Sequence, residues 1–139
     1  RAFRRIPLPH PLAQSQPSTK TLVNFETIFY VDQGPLTRRV RLLGQRITLA
    51  IRPARFVWHH GDGSQAVTDT PGAAYPARDI TYRYTRADVT VRHSVTITWT
   101  ARYRVNNGRW RMVPGTVTTN GPASRLRITE AVPVLSGLR

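Results

Sequence analysis

The sequence predicts an all-β protein, a sandwich of antiparallel sheets, from three observations. Val89–Val105 alternates throughout: odd positions carry Val89, Val91, His93, Val95, Ile97, Trp99, Ala101, Tyr103 and Val105, and even positions carry only Thr, Ser and Arg. Side chains of a strand point to opposite faces in turn, so this period marks a strand buried on one face. Around it stand other short alternating runs, separated by Gly, Pro, Asn and Asp turn signals. No stretch has the 3.6-residue period of a packed helix. A barrel is the alternative closure of the same strands.

Taken in order, residues 1–20 hold Pro7, Pro9, Pro11 and Pro17 among early arginines. Proline removes backbone donors and favours extended geometry, so this reads as a basic, Pro-rich tail or linker, docked on its own domain or on a neighbouring chain. Residues 21–139 form the sandwich. Residues 22–31 read as a first strand with Val23, Phe25, Phe29 and Val31 on one face, ended by Asp32-Gln33-Gly34-Pro35. Residues 36–43 form a basic strand with Val40 and Leu42 inward. Residues 46–52 place Ile47, Leu49 and Ile51 inward and Arg46, Thr48 and Arg52 outward, and Pro53 breaks that strand. Ala54, Phe56 and Trp58 face inward on the next.

Residues 59–77 form one long polar connection, and residues 79–85 a strand with Ile80, Tyr82 and Tyr84 on one face. As a straight strand Val89–Val105 would reach about 55 Å at about 3.3 Å per residue, so it must bend, carry a bulge or begin as a separate strand near Val89. Asn107-Gly108 suits a two-residue type I′ hairpin, which sets Val105 opposite Trp110, Tyr103 opposite Met112 and Arg104 opposite Arg111. Residues 125–135 close the chain with Leu126, Ile128, Val132 and Val134 inward.

A chain of 139 residues can bury a single core. It has no cysteine, which excludes disulfides and thiolate metal sites, and no apolar run long enough for a transmembrane helix. The 21 basic residues outnumber the 7 acidic ones for a net charge of +14. That balance favours anionic partners. Every basic residue but Lys20 is arginine, a bias that a GC-rich genome also produces.

Residues 56–63 read Phe-Val-Trp-His-His-Gly-Asp-Gly, followed by Pro71, Tyr75, Tyr82, Tyr84 and then the alternating strand. This resembles the PKD domain, an immunoglobulin-like sandwich whose pattern is an aromatic, Trp-x-Phe-Gly-Asp-Gly, then Pro and Tyr before a Val-x-Val strand. It resembles in particular the small secreted PKD-type proteins of actinobacteria. The likeness spans roughly residues 22–135 with Trp58, Gly61, Asp62 and Gly63 at its centre. His60 stands where the family has phenylalanine, and a further hairpin follows the long strand. The resemblance implies a structural motif, with Trp58 filling the space between sheets, glycines in turn conformations and Asp62 capping backbone amides. It also implies a non-catalytic module, extracellular or at the cell surface, that acts as spacer, adhesion unit or binder of polysaccharide or protein.

His59, His60, Asp62 and Asp69 share one polar loop, and such side chains suit a divalent ion. Consecutive histidines at a strand end point to opposite faces, so no metal or other cofactor is expected. The carboxylates are scattered, no serine sits in a nucleophile elbow, and no Gly-rich phosphate loop carries a lysine. No catalytic residue is assigned. His93 reads as a hydrogen-bonded core histidine.

Arg102, Arg104, Arg109 and Arg111 form the candidate anion- or partner-binding surface on the outer face of the hairpin, with Arg92 farther along. An anion bridging guanidinium forks would relieve their repulsion. A second basic face collects Arg38, Arg39, Arg41, Arg46 and Arg52. Aromatics fall mostly inward, which ranks nucleic acid below wall polymer or protein. The expected function is a non-catalytic interaction or structural module that binds a partner protein or assembles with other copies through edge strands and the tail. The alternative is a polyanion-binding module for anionic wall polymer, acidic glycan or nucleic acid.

Overall fold

A computed structural model describes residues 2–130. Apart from one helical turn, α1 (Ala2–Arg5), its regular structure is strand: β1 (Gln14–Gln16), β2 (Lys20–Leu22), β3 (Glu26–Tyr30), β4 (Leu36–Leu42), β5 (Gln45–His59), β6 (Gln65–Thr68), β7 (Thr81–Arg83), β8 (Val89–Val105), β9 (Arg111–Met112), β10 (Val117–Asn120) and β11 (Ser124–Thr129). They form two sheets: a small one in the order β1-β3-β7 and a large one built on β5 and β8. The fold is all-β and consistent with a β-sandwich.

The antiparallel pair β5/β8 is the frame, running from Ile47↔Val105 to His59↔Ser94. β8 is continuous over 17 residues, and the irregularity its length demands lies in its partner. Pro53 does not end β5. The register steps by one residue between Pro53 and Arg55, and a bulge is one of the few places where a strand tolerates a residue without an N–H. The step also switches parity. Ile47, Leu49 and Ile51 face the core before it, and Phe56 and Trp58 face the same core after it. A strand of unbroken register would turn one of these sets to water.

Both outer edges of the pair are occupied piecemeal. β5 takes β4 and then β6. β8 takes β9, β10 and β11 in succession, and β2 lies parallel to β11 beyond them. β6 falls inside what the sequence presents as a long polar connection. The β4–β5 turn is the type I′ hairpin of this fold, with Leu43 at φ 53° and Gly44 at φ 75°.

The Asn107-Gly108 hairpin expected from the sequence is corrected by the structure. Asn106, at φ 53°, takes the left-handed conformation, and Gly108 N donates to Val105 O. The loop is longer than two residues, and the register moves by one, to Tyr103↔Arg111 and Arg102↔Met112.

The small sheet covers the inner face of the large one. Phe29 of β3 lies between two buried imidazoles, with ring centroids 5.0 Å from His60 and 5.1 Å from His93. Trp58 and Trp99 are fully buried, and each indole N–H donates to a threonine, Thr68 and Thr119 respectively. Residues 2–20 lie on their own domain. They contribute β1 and the buried side chains of Phe3, Leu8 and Ala13. Four apolar residues expected inward, Phe25, Leu42, Val105 and Met112, are exposed. Phe25 follows Asn24, whose φ of 63° breaks the alternation, and Leu42 lies at the hairpin end of the large sheet, where the inner face runs out of cover. Val132 and Val134 lie outside the described residues.

His93 is buried as expected, but neither ring nitrogen has a hydrogen-bond partner among the described residues. Burial pushes its pKa down to about 4, helped by the nearby His60. Burial likewise lowers His60 to about 4 against the opposing pull of Asp62. In the unfolded chain both imidazoles bind protons from about pH 6.5. Between pH 6.5 and about 4 the unfolded state therefore binds more protons, and stability falls as pH falls through that window. His93→Leu is expected to flatten this dependence: denaturant titration at pH 5 should show the variant gaining on wild type relative to pH 7.5. Trp58→Ala should cost about 3–5 kcal/mol in the same measurement, the usual loss for a large aromatic removed from a core.

Candidate functional site

The Gly-Asp-Gly turn follows β5 and is closed by hydrogen bonds. Ser64 N and Ser64 Oγ donate to Asp62 Oδ1 at 3.0 and 2.6 Å, and Tyr82 Oη donates to Asp62 Oδ2. Burial pushes the Asp62 carboxyl up, but the hydrogen bonds from Ser64 and Tyr82 outweigh it and leave the pKa below the usual carboxylate range. This side chain fastens a turn to β7. Gly61 has a separate reason: its φ is +88°, and an added Cβ would sit 2.6 Å from Arg92 O. His60 stacks on Tyr82 with ring centroids 3.9 Å apart, an aromatic packing role.

His59 and His60 point to opposite sides. His59 Nε2 is 2.9 Å from Thr96 Oγ1, while His60 is in the core. Among the described residues no three His, Cys, Asp or Glu side chains group as metal ligands. A shallow depression of about 540 Å³ beside β3 is lined by Gln14, Tyr30, Val31, Asp32, Gly72, Ala73 and Ala74. It pairs no nucleophile with a base.

The outer face of the large sheet has the more distinctive chemistry. The β8 register carries Arg104 into line with Thr48 and Arg39, and Arg102 into line with Ala50 and Thr37. Arg52 stands opposite Thr100 and Arg41 opposite Arg46. Rows two residues apart are separated by about 7 Å and neighbouring strands by about 4.8 Å. At the far end of the same face Arg92 meets Arg125, and Arg127 lies between Thr90 and Lys20. No strand of this sheet contains an Asp or Glu. Among the described residues the one ion pair joins Glu26 of β3, in the small sheet, to Arg78 in the connection before β7.

The two basic faces that the sequence separates are thus largely one. Arg39, Arg41, Arg46 and Arg52 share it with Arg102 and Arg104, whereas Arg38 is paired with inward Leu49. Of the other hairpin residues, Arg109 is exposed in the loop, and Arg111, opposite Tyr103, leaves this face for the other. Arg92 joins the face more than ten residues away from Arg104 along β8. Trp110 was not singled out by the sequence, because the two-residue turn would have placed it inward. Instead Arg102 Cζ lies 4.6 Å and Arg104 Cζ 5.0 Å from its ring centroid.

Comparisons with protein-family models, curated proteins and solved structures give no match.

Gly61→Ala should destabilise the fold by more than the roughly 1–2 kcal/mol that a side chain costs in the left-handed conformation, because the methyl group also meets the backbone of Arg92. Gly63→Ala, with nothing within 4 Å of its Cβ position, isolates the cost of positive φ alone. Thermal melts of the two variants measure the difference.

Proposed function

We propose that this chain is a non-catalytic interaction module that binds an anionic partner through the outer face of its large sheet. One observation carries the reading: arginines from β4, β5, β8 and β11 share a face whose strands hold no carboxylate. Unneutralised guanidinium groups in rows attract polyanions and release counterions from them. The buried Trp58 and the tied Gly-Asp-Gly turn support assigning the sandwich to the immunoglobulin-like PKD type. An extracellular or cell-surface location rests on that resemblance.

A second reading is a partner protein, or another copy of the chain, added at the free edge of β4. It is favoured by the position of β4 at the end of the strand order and by exposed Leu42 and Leu43 beside it. Residues 2–20 contribute core side chains to their own domain, so they add little to this reading. Self-association by light scattering that persists at high salt would favour it.

The polyanion reading is tested by affinity for a soluble polyanion between about 50 and 200 mM salt, where binding through several arginines weakens steeply. Arg104→Glu is expected to lower affinity and flatten the slope of log K against log salt, and Arg111→Glu, on the opposite face, to do so much less. Equal effects of the two variants would remove the outer face from the account.

A further inference from the structure

Arg102, Arg104 and Trp110 differ from the rest of the basic face because their arrangement is fixed. Arg102 and Arg104 are two residues apart on one strand and project to one side. Continuing the β8–β9 register places Trp110 beside Arg104, and both guanidinium carbons lie within 5.0 Å of its ring centroid. A long arginine normally loses rotamer freedom when it grips an anion. Here an aromatic ring already holds two of them close together. Arg104 is half-buried, and its Nε is buried without an acceptor among the described residues. That nitrogen has given up water already, which lowers the further desolvation needed when the open edge of the guanidinium meets an oxyanion. No carboxylate among the described residues pairs with either arginine.

The surroundings select the kind of polymer. Thr37 and Thr48 lie in the same rows, and Thr98 and Thr100 continue the face along β8. Hydroxyl groups interleaved with guanidinium forks match a chain that carries both hydroxyl and acid groups. Apart from Trp110, no Phe, Tyr or Trp in the strands of the large sheet lies on this face. The ring of Trp110 is itself engaged by arginine, so the surface lacks the open stacking platforms that single-stranded nucleic acid uses. A surface several strands wide also exceeds the two-stranded ribbon that a major groove of about 12 Å admits.

We propose that Arg102, Arg104 and Trp110 form a preorganised seat for the acid groups of an acidic polysaccharide lying across the outer face. This rests on the polyanion reading above and adds to it a place and a ligand class.

The test is a titration of the protein with dextran sulfate of defined length, beside neutral dextran and oligo-dT of equal charge, followed by calorimetry and tryptophan fluorescence. Trp58 and Trp99 are buried, so a ligand-induced change in emission reports on Trp110. The expected result is that dextran sulfate binds, perturbs emission and binds more tightly than oligo-dT, while neutral dextran does not bind. Trp110→Ala keeps every charge, and it should weaken binding about tenfold through lost preorganisation with the salt slope unchanged. Trp110→Phe should recover part of that loss. Arg102→Ala should lower both affinity and slope. Wild-type affinity in Trp110→Ala, with a folded circular-dichroism spectrum, or an unperturbed emission on binding would overturn the seat while leaving the polyanion reading in place. Tighter binding of oligo-dT would overturn the choice of polysaccharide. Absence of binding to any polyanion at 50 mM salt would remove the broader reading as well.

Discussion

The pairing of β5 with β8 is what the rest of the molecule depends on. It supplies the longest ladder in the fold, and every other strand of the large sheet pairs with it directly except β2, which pairs with β11. Such a ladder is useful only if both members keep one face apolar along their whole length. The step at Pro53 meets that requirement. It lets Ile51 and Phe56 both point inward although the residue count between them would otherwise place them on opposite sides. The core of Trp58, Trp99, Phe56 and Phe29 then has a continuous floor.

The two sides of this ladder answer to different physics. On the inner side burial dominates so far that His60 and His93 are held neutral, with His93 lacking a hydrogen-bond partner among the described residues. On the outer side like charges face each other at Arg41↔Arg46 and Arg92↔Arg125. Such cross-strand pairs oppose folding by about 0.2–1 kcal/mol each. The ladder and the buried face tolerate that repulsion, and an anion on the outer face would relieve it.

Much of this was legible in the sequence. The alternation of Val89–Val105 announced β8, the inward sets on either side of Pro53 were both readable, and the Asp62 cap followed from its place in a Gly-Asp-Gly turn. What was hidden shares a cause: a single residue in a left-handed conformation reassigns everything after it. Asn24 turns Phe25 outward, and Asn106 moves the hairpin register by one. Asparagine identity alone does not say which of two neighbours, Asn106 or Asn107, will adopt it. That shift brought Trp110 under the arginines and took Arg111 away from them. The strand β6 was hidden for another reason. Its four residues carry too few apolar side chains to show a period, and their pairing with β5 is a tertiary contact.

The step at Pro53 makes this stretch sensitive to length more than to identity. Between Ile51 and Phe56 the chain keeps count like a reading frame. Substituting a residue there leaves the count intact, and deleting Ala54 would remove the unpaired residue of the bulge and still leave Phe56 and Trp58 inward. Inserting a residue beside Ala54 would instead move β5 downstream by one notch and offer Arg55 and Val57 to the interior in place of Phe56 and Trp58. An insertion in this segment must therefore be matched by a deletion if the large sheet is to keep its inside and outside.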